Sequence, residues 1–301
     1  MHLNVCNLLA LSTLVAAAPS MQKRDADMES LQGLTHLRND HSGKELDPEG
    51  KYFHESTFHP HYDGRFGSMI LPPHIRQRHL RALVRTYLTT MEAIGAETWI
   101  MHGSLLGWWW NRKIMPWDSD IDVQVDKRSM DFLASYYNMT VHHFKDVPAG
   151  MDDKVEGDDA EGEEREEKTY LLEVNPHYRN ASTRDFLNVI DARWIDTSTG
   201  LFIDITTLHR NLTAESEGLQ GMMMCKDKHS FHRDQIFPLR DSLFEGVPAK
   251  IPYSYGELLE EEYGAESLTR ADFAQHHFDE QKKEWIPWTE YFGQRYSMEP
   301  L

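Results

Sequence analysis

The sequence predicts an α+β (mixed α/β) fold in which a mixed sheet is flanked by helices. Two observations lead to this prediction. Short β-like apolar runs occur between segments whose apolar residues recur at the three- and four-residue spacing of a helix face. Hydrophobic residues make up 40% and aromatic residues 11% of the 301 residues, which is enough to build the core of a globular protein.

The charge balance excludes one class of function. The chain carries 49 Asp and Glu residues against 31 Lys and Arg residues, a formal net charge of −18. Proteins that bind nucleic acid through its phosphates are basic, so we expect no nucleic acid among the partners. No apolar run approaches the roughly 20 residues that a transmembrane helix needs. The only cysteines, Cys6 and Cys225, are too few for a disulfide-rich scaffold.

The amino-terminal part predicts entry into the secretory pathway. Residues 1–18 combine a short apolar run with three alanines and are typical of a signal peptide; a buried helix and an uncleaved anchor are the alternatives. Asn-x-Ser/Thr triplets begin at Asn138, Asn180 and Asn211, as expected for a protein of the Golgi lumen or a secreted protein. Residues 19–71 show little periodicity, and we expect an extended or loosely ordered leader there.

The main domain is predicted over residues 72–270 and begins with a helix. Apolar residues follow one helix face after two prolines, and Gly95 occupies the position of a C-cap. Helical patterns recur at residues 129–137, 255–263 and 271–285. The last of these predicts a helical C-terminal tail over 271–301. The predicted strands cover residues 98–102, 121–125, 170–174, 189–195 and 201–205.

Residues 151–168 interrupt this domain with a run of charge. They contain ten acidic residues against three basic ones. Because so many like charges cannot pack in a core, we expect a solvated surface insertion between structured elements.

The most informative stretch begins where a β-like run ends in Gly103 and Ser104. Two leucines follow directly, so this pair is predicted to begin a helix whose backbone N–H groups form a cradle for phosphate. Asp120 and Asp122 follow on a second β-like run, where the alternating apolar residues point to the core. Both carboxylates are therefore expected on one face of that strand.

Two carboxylates this close repel each other unless they share a proton or bind a cation. Beside a phosphate cradle the cation is favoured, and oxygen ligands favour Mg²⁺ or Mn²⁺. Asp204 lies within a later apolar run, where an unpaired carboxylate is costly. We predict that Asp120, Asp122 and Asp204 are the catalytic and metal-binding residues, with Asp204 completing the metal site or accepting a proton. A hydrogen-bonded structural aspartate is the alternative for Asp204.

Four other residues are candidates for substrate contact. Arg112 and Lys113 lie between the cradle and the carboxylates, where a cation would neutralise donor phosphates; a solvated loop pair is the alternative. Lys226 and His229 belong to a second basic cluster, and we expect contact with phosphate or sugar there.

Two further patterns carry less weight. Cys225, His229 and His232 are a conceivable zinc set that lacks a fourth ligand in view. The three tryptophans at 108–110 and Trp117 are expected to form core and pocket wall rather than a sugar-stacking platform.

Taken together, the motifs resemble one family. The order of Gly103-Ser104, the Asp120-x-Asp122 pair and a lone Asp204 resembles the nucleotidyltransferase fold of the polymerase-β type. More narrowly, segments 102–107 (HGSLLG) and 116–122 (PWDSDID) closely resemble the LicD family, which includes bacterial phosphocholine transferases and the fukutin-related proteins. Later segments at 188–196 and 234–248 are similar to the fungal branch associated with mannosylphosphorylation of cell-wall glycans.

This resemblance covers about residues 72–270 and implies a function. The family transfers a phosphate-linked group, such as a sugar phosphate, from a nucleotide-activated phosphodiester donor to a glycan acceptor hydroxyl with a divalent metal. Some fungal members are regarded as regulators, so a partner transferase is also implied, and a non-catalytic accessory protein is the first alternative. The second alternative is a glycan-binding module in which the carboxylates hold Ca²⁺.

Overall fold

The computed structural model of the protein describes residues 21–25, 40, 48–148 and 165–291. The signal peptide predicted at 1–18 lies outside these residues, as does most of the predicted acidic insertion. None of the helices in the described ranges is long and apolar enough to cross a bilayer.

Fourteen strands occur in the described part of the chain. They are β1 (Met21–Asp25), β2 (Thr98–Ile100), β3 (Asp122–Asp126), β4 (Thr140–Pro148), β5 (Arg165–Val174), β6 (Ala192–Asp196), β7 (Phe202–Arg210), β8 (Met222–Met224), β9 (Ser230–His232), β10 (Arg240–Phe244), β11 (Val247–Ile251), β12 (Asp272–Phe273), β13 (His276–Asp279) and β14 (Glu284–Pro287).

Six α-helices accompany these strands within the same ranges. They are α1 (Pro73–Ile94), α2 (His102–Asn111), α3 (Lys127–Tyr136), α4 (Leu212–Ser216), α5 (Arg233–Ile236) and α6 (Tyr255–Tyr263), and a 3₁₀ turn follows at Ala265–Leu268.

Nine of the strands form one mixed sheet. Its order is β1-β4-β5-β6-β7-β3-β2, with β8 paired to β7 and β9 paired to β8. The β3 and β7 strands run parallel, and the other described pairs of this sheet are antiparallel. The β10–β11 hairpin and the three-stranded sheet β12-β13-β14 are separate. The predicted mixed sheet flanked by helices is confirmed.

The first helix of the main domain is also confirmed. Pro73 begins α1, where the missing N–H of proline costs nothing, and Gly95 ends it in the left-handed conformation at φ 77°. Its buried face includes Leu80, Leu83 and Met91, which belong to the main hydrophobic core together with residues of the central strands.

The leader is more ordered than predicted. Residues 48–72 have little regular secondary structure, but Phe53, Tyr62 and Phe66 are buried. Tyr62 also forms a β-bridge with Leu201, the residue before β7. These aromatic side chains bury enough apolar surface to hold an irregular segment against the sheet. The prediction of a loosely ordered chain is therefore wrong for this part of the leader.

Two other boundaries need correction. The tail over 271–285 is not a helix, since β12, β13 and β14 occupy it. Phe278 and Trp285 face each other across the β13–β14 pair and are buried together against Met115, and this packing overrides the helical spacing. The acidic insertion ends before β5, which begins at Arg165, and Lys168 is already buried in that strand.

A substitution in α2 tests how tightly this framework is packed. A Cβ atom on Gly107 would lie 2.4 Å from the backbone oxygen of Lys113, so Gly107→Ala must displace either the helix or the loop that follows. We expect a loss of roughly 1–3 kcal/mol of stability, read as a fall in Tm on thermal unfolding. Gly256→Ala in α6 is the matched control, because nothing lies within 4 Å of its Cβ position, and it should cause no loss. Equal Tm values for Gly107→Ala and the wild type would contradict this packing.

Candidate functional site

An acidic cleft opens where α2 and β3 begin. Its volume is about 270 Å³, and one wall carries Gly103 and Ser104. Three aspartates, Asp118, Asp120 and Asp122, line it, and its apolar walls come from Leu106, Met115, Trp117, Tyr263 and Phe273. We refer to this cavity as the acidic cleft. The predicted cradle and carboxylate pair therefore meet in one cavity.

The start of α2 is held directly against β3. The Met101 N–H donates to the Asp122 carbonyl oxygen at 3.2 Å, and the Asp122 N–H donates to the Ser104 hydroxyl at 3.2 Å. Gly103 faces the cleft, since a Cβ there would lie 3.9 Å from Asp118 Oδ2. The absence of a side chain at Gly103 thus keeps the space between the helix start and the carboxylates open.

Asp204 joins the other aspartates through the parallel pairing of two strands. Asp122 and Asp204 are register partners, and the Asp204 N–H donates to the Ile121 carbonyl oxygen at 3.1 Å. Neighbouring residues in such a pair point to the same face of the sheet. In agreement with this, the charge of Asp204 contributes to raising the pKa of Asp122. Asp122 and Asp204 thus lie on one face of the sheet, and the loop before β3 brings Asp120 close enough for its charge to raise the pKa of both.

Burial and mutual repulsion disfavour the ionised carboxylates of the cleft. The pKa of Asp118 is raised to about 7, mainly by burial and then by the charge of Asp120, while Arg76 opposes the shift. The pKa of Asp122 also lies well above its ordinary value. Burial is the largest cause, and the charges of Asp120 and Asp204 come next. A divalent cation would relieve this repulsion, and a donor set of carboxylate oxygens fits Mg²⁺ or Mn²⁺.

Asp204 differs from the others because it has a cationic partner. Arg193 Nε donates to Asp204 Oδ1 at 2.8 Å, and the Arg193 side chain is only 3% exposed. The same guanidinium lies 3.6 Å from Glu55 and packs over the Phe202 ring at 3.7 Å. Burial still raises the pKa of Asp204, with Arg193 acting against the shift. Asp120 and Asp122 are therefore better placed than Asp204 to ligate a cation.

Several residues that support the cleft were not predicted. Arg193 has a signal in the sequence, since an arginine interrupts the apolar run of β6. Gln77 holds the loop before β3, because its side-chain amide donates to the carbonyl oxygens of Met115, Pro116 and Asp118. His61 bonds Ser119 Oγ at 2.6 Å, and its Nε2 lies 3.8 Å from Asp120. No local pattern distinguishes Gln77 or His61 in the sequence.

Arg112 and Lys113 are not brought to the carboxylates. They lie at the far end of α2, which at about 1.5 Å per residue is roughly 14 Å from Gly103. The Arg112 guanidinium packs over the Trp108 ring at 4.0 Å, and Lys113 Nζ lies 2.6 Å from Glu284. Both side chains thus stabilise the end of the helix.

The second basic cluster separates into buried and accessible parts. Lys226 is 1% exposed and its Nζ lies 2.6 Å from Asp191, so the prediction that it contacts substrate is wrong. Its charge is balanced by a buried carboxylate in the core. His229 is half-exposed and lies beside His102 near the cleft, with the two ring centroids 4.5 Å apart.

The zinc set considered for this cluster does not assemble. Cys225 is fully buried and contacts the Gln124 side chain, while His232 caps α5 by accepting from the Asp234 N–H. Trp108 is buried and bonds Ser242, and Trp110 and Trp117 pack around Trp285, as predicted. Trp109 is exposed, so the prediction is wrong for this residue.

The comparisons with known proteins agree with the geometry. The LicD/FKTN/FKRP nucleotidyltransferase domain matches residues 95–254, more than half of the chain. The chain belongs to the LicD family. The matched segment of this LicD protein contains Gly103, the three cleft aspartates, Arg193 and Asp204, whereas Tyr263 and Phe273 lie beyond it.

Two relatives come from Saccharomyces cerevisiae. The LicD chain is 31% identical to mannosyltransferase regulator 4 over 151 residues, which are 49% of this chain and 11% of that protein. It is 30% identical to mannosyltransferase regulator 14 over 152 residues, which are 49% of this chain and 14% of that protein. The similarity thus spans only a small part of each relative's length.

Cation binding at the acidic cleft should depend on pH. The pKa of Asp118, about 7, exceeds its ordinary value of 3.8, so the folded metal-free protein binds more protons than the unfolded chain between these values. Its stability should therefore fall as the pH rises from about 4 to 7. Protons and cations compete for the same oxygens, so the increase in Tm on adding Mn²⁺ should be larger at pH 8 than at pH 5.5.

Asp118→Asn provides the control for this titration. The variant should show a flatter dependence of metal-free Tm on pH, because the amide cannot ionise. If wild type and Asp118→Asn followed the same pH dependence, the carboxyl of Asp118 would not be the titrating group.

Proposed function

We propose that this LicD protein transfers a phosphate-linked group, such as a sugar phosphate, from a nucleotide-activated donor to a glycan hydroxyl during mannosylphosphorylation. One observation supports this proposal above the others: three aspartates meet the glycine-bearing start of a helix in a single cleft. Clefts of this kind combine a place for phosphate with oxygen ligands for a divalent cation. The predicted signal peptide suggests that the reaction occurs in the lumen of the secretory pathway.

The roles follow from the position of each residue. Asp120 and Asp122, assisted by Asp118, would hold Mg²⁺ or Mn²⁺. When bound, such a cation neutralises charge on the donor phosphates. The open face at Gly103 leaves room for a phosphate to approach the backbone N–H groups at the start of α2.

Asp204 is proposed to orient or deprotonate the attacking hydroxyl. Its hydrogen bond from Arg193 favours the ionised carboxylate, which is the form a general base requires. Arg193 is thus a positioning residue, since it acts through Asp204. Catalysis of this type depends on alignment of the donor and the acceptor more than on covalent chemistry.

Conservative variants of the cleft test the proposal. Asp120→Asn and Asp122→Asn preserve side-chain shape but remove negative charge, so we expect donor turnover in the presence of Mn²⁺ to fall by roughly 10²-fold or more. The matched control is Asp241→Asn, an exposed aspartate of β10, which should retain wild-type turnover. Turnover at the wild-type rate in both cleft variants would exclude this site.

A screen for donors complements the variants. CDP- and GDP-linked donors are added to the purified protein with Mg²⁺ or Mn²⁺, and the change in Tm is measured. A donor that binds the folded protein raises Tm, and the increase grows with the logarithm of its concentration once that exceeds its Kd. We expect stabilisation that requires both the donor and the cation. This stabilisation should be absent in Asp122→Asn.

The names of the relatives favour a second candidate function. Both are called mannosyltransferase regulators, so this protein is also a candidate accessory factor of a separate transferase. The two functions differ in a direct assay. Metal-dependent turnover by the purified protein alone supports catalysis, whereas stimulation of a separate mannosyltransferase that survives in Asp120→Asn and Asp122→Asn supports the accessory role.

A further inference from the structure

A second cluster of metal-ligand side chains lies beside the acidic cleft. His102 comes from the start of α2, His229 from the loop before β9, and Glu262 from the end of α6. One ligand atom from each residue lies within 4.8 Å of those from the other two. Three segments that are distant in the sequence therefore converge at one point.

The contacts within this cluster are close. His102 Nδ1 lies 2.9 and 3.0 Å from the two carboxylate oxygens of Glu262. The His102 and His229 ring centroids are 4.5 Å apart. His229 Nδ1 lies 3.1 Å from Asp227 Oδ1, so a carboxylate stands beside that nitrogen and Nε2 is the other ligand atom of the ring. A carboxylate behind a histidine is the usual support for a metal-bound imidazole.

His102 also has an unpartnered ring nitrogen and a strained backbone. Its Nε2 is buried and has no hydrogen-bond partner among the residues that the structure describes. Its φ of 53° places a non-glycine residue in the left-handed region. Such strain persists where the surrounding structure enforces it, and it is concentrated at ligand sites.

We propose that His102, His229 and Glu262 form a zinc-type metal site distinct from the acidic cleft. Two imidazoles and one carboxylate suit Zn²⁺, whereas the all-oxygen aspartates suit Mg²⁺ or Mn²⁺. Three protein ligands leave a fourth position for water or substrate, and the partial exposure of His229 and Glu262 provides access.

The location of this site suggests its role. His102 precedes Gly103, and Glu262 precedes Tyr263, and both of these neighbours line the acidic cleft. An ion held here would fix the start of α2 to the end of α6 and so hold the cleft wall in place. Glu262 lies outside the family match at 95–254, so the site joins the LicD domain to the segment that follows it.

Metal content provides the first test. Full-length protein is stripped with a chelator, dialysed against Zn²⁺ in excess Mg²⁺, and its bound zinc is measured by mass spectrometry. We expect one zinc per chain, retained in Asp120→Asn. His229→Ala and Glu262→Gln should bind zinc roughly 10²-fold more weakly, and Asp227→Asn about 10- to 100-fold more weakly. His177→Ala removes an exposed histidine of a surface turn and should bind like the wild type.

Substitution with Co²⁺ provides a second readout that does not depend on activity. Cobalt at a nitrogen-containing four-coordinate site should give visible absorption in the wild type and in Asp122→Asn, but not in His229→Ala. Near-UV circular dichroism confirms that each variant is folded. Zinc binding that is unaffected in both His229→Ala and Glu262→Gln, or a cobalt spectrum that is lost in Asp122→Asn, would overturn the proposal. Because neither readout measures donor turnover, the test of this site is independent of the proposed reaction.

Discussion

The structure depends on the burial of like charges where β3 runs parallel to β7. This pairing sets Asp122 beside Asp204, and the loop before β3 adds Asp118 and Asp120. Carboxylates this close are unstable unless something compensates for their charge. Arg193 does so for Asp204 and Arg76 opposes the shift at Asp118. The remaining excess of negative charge is the reason for proposing a divalent cation at this cleft.

Segments on both sides of the family domain complete the cleft. His61 reaches the loop before β3 from the amino-terminal side, where aromatic anchors hold an irregular chain against the sheet. Tyr263 and Phe273 form part of the wall from the carboxyl-terminal side. The nucleotidyltransferase core therefore supplies the charged groups, while its flanking segments shape the space around them. Differences in substrate among members of such a family can arise in these flanks without any change in the core.

The sequence predicts the aspartates well and the surrounding contacts poorly, for physical reasons. The local pattern singles out Asp120 and Asp122, although β3 begins only at Asp122 and Asp120 belongs to the loop before it. The burial of Lys226 depends on Asp191, a partner 35 positions away that no local pattern reveals. The spacing of Phe278 and Trp285 fits a helix face, yet seven residues also separate direct partners across β13 and β14. Local periodicity cannot distinguish these two arrangements, whereas packing against Met115 can.

The three-stranded sheet β12-β13-β14 also affects how the family domain behaves as a unit. Trp110 and Trp117 pack on Phe278 and Trp285, so the sheet covers an aromatic surface that the matched domain would otherwise expose to water. An excised fragment that ends near residue 254 would expose a hydrophobic patch of tryptophan side chains to solvent and would self-associate through it. The carboxyl-terminal segment thus protects the domain that precedes it from self-association.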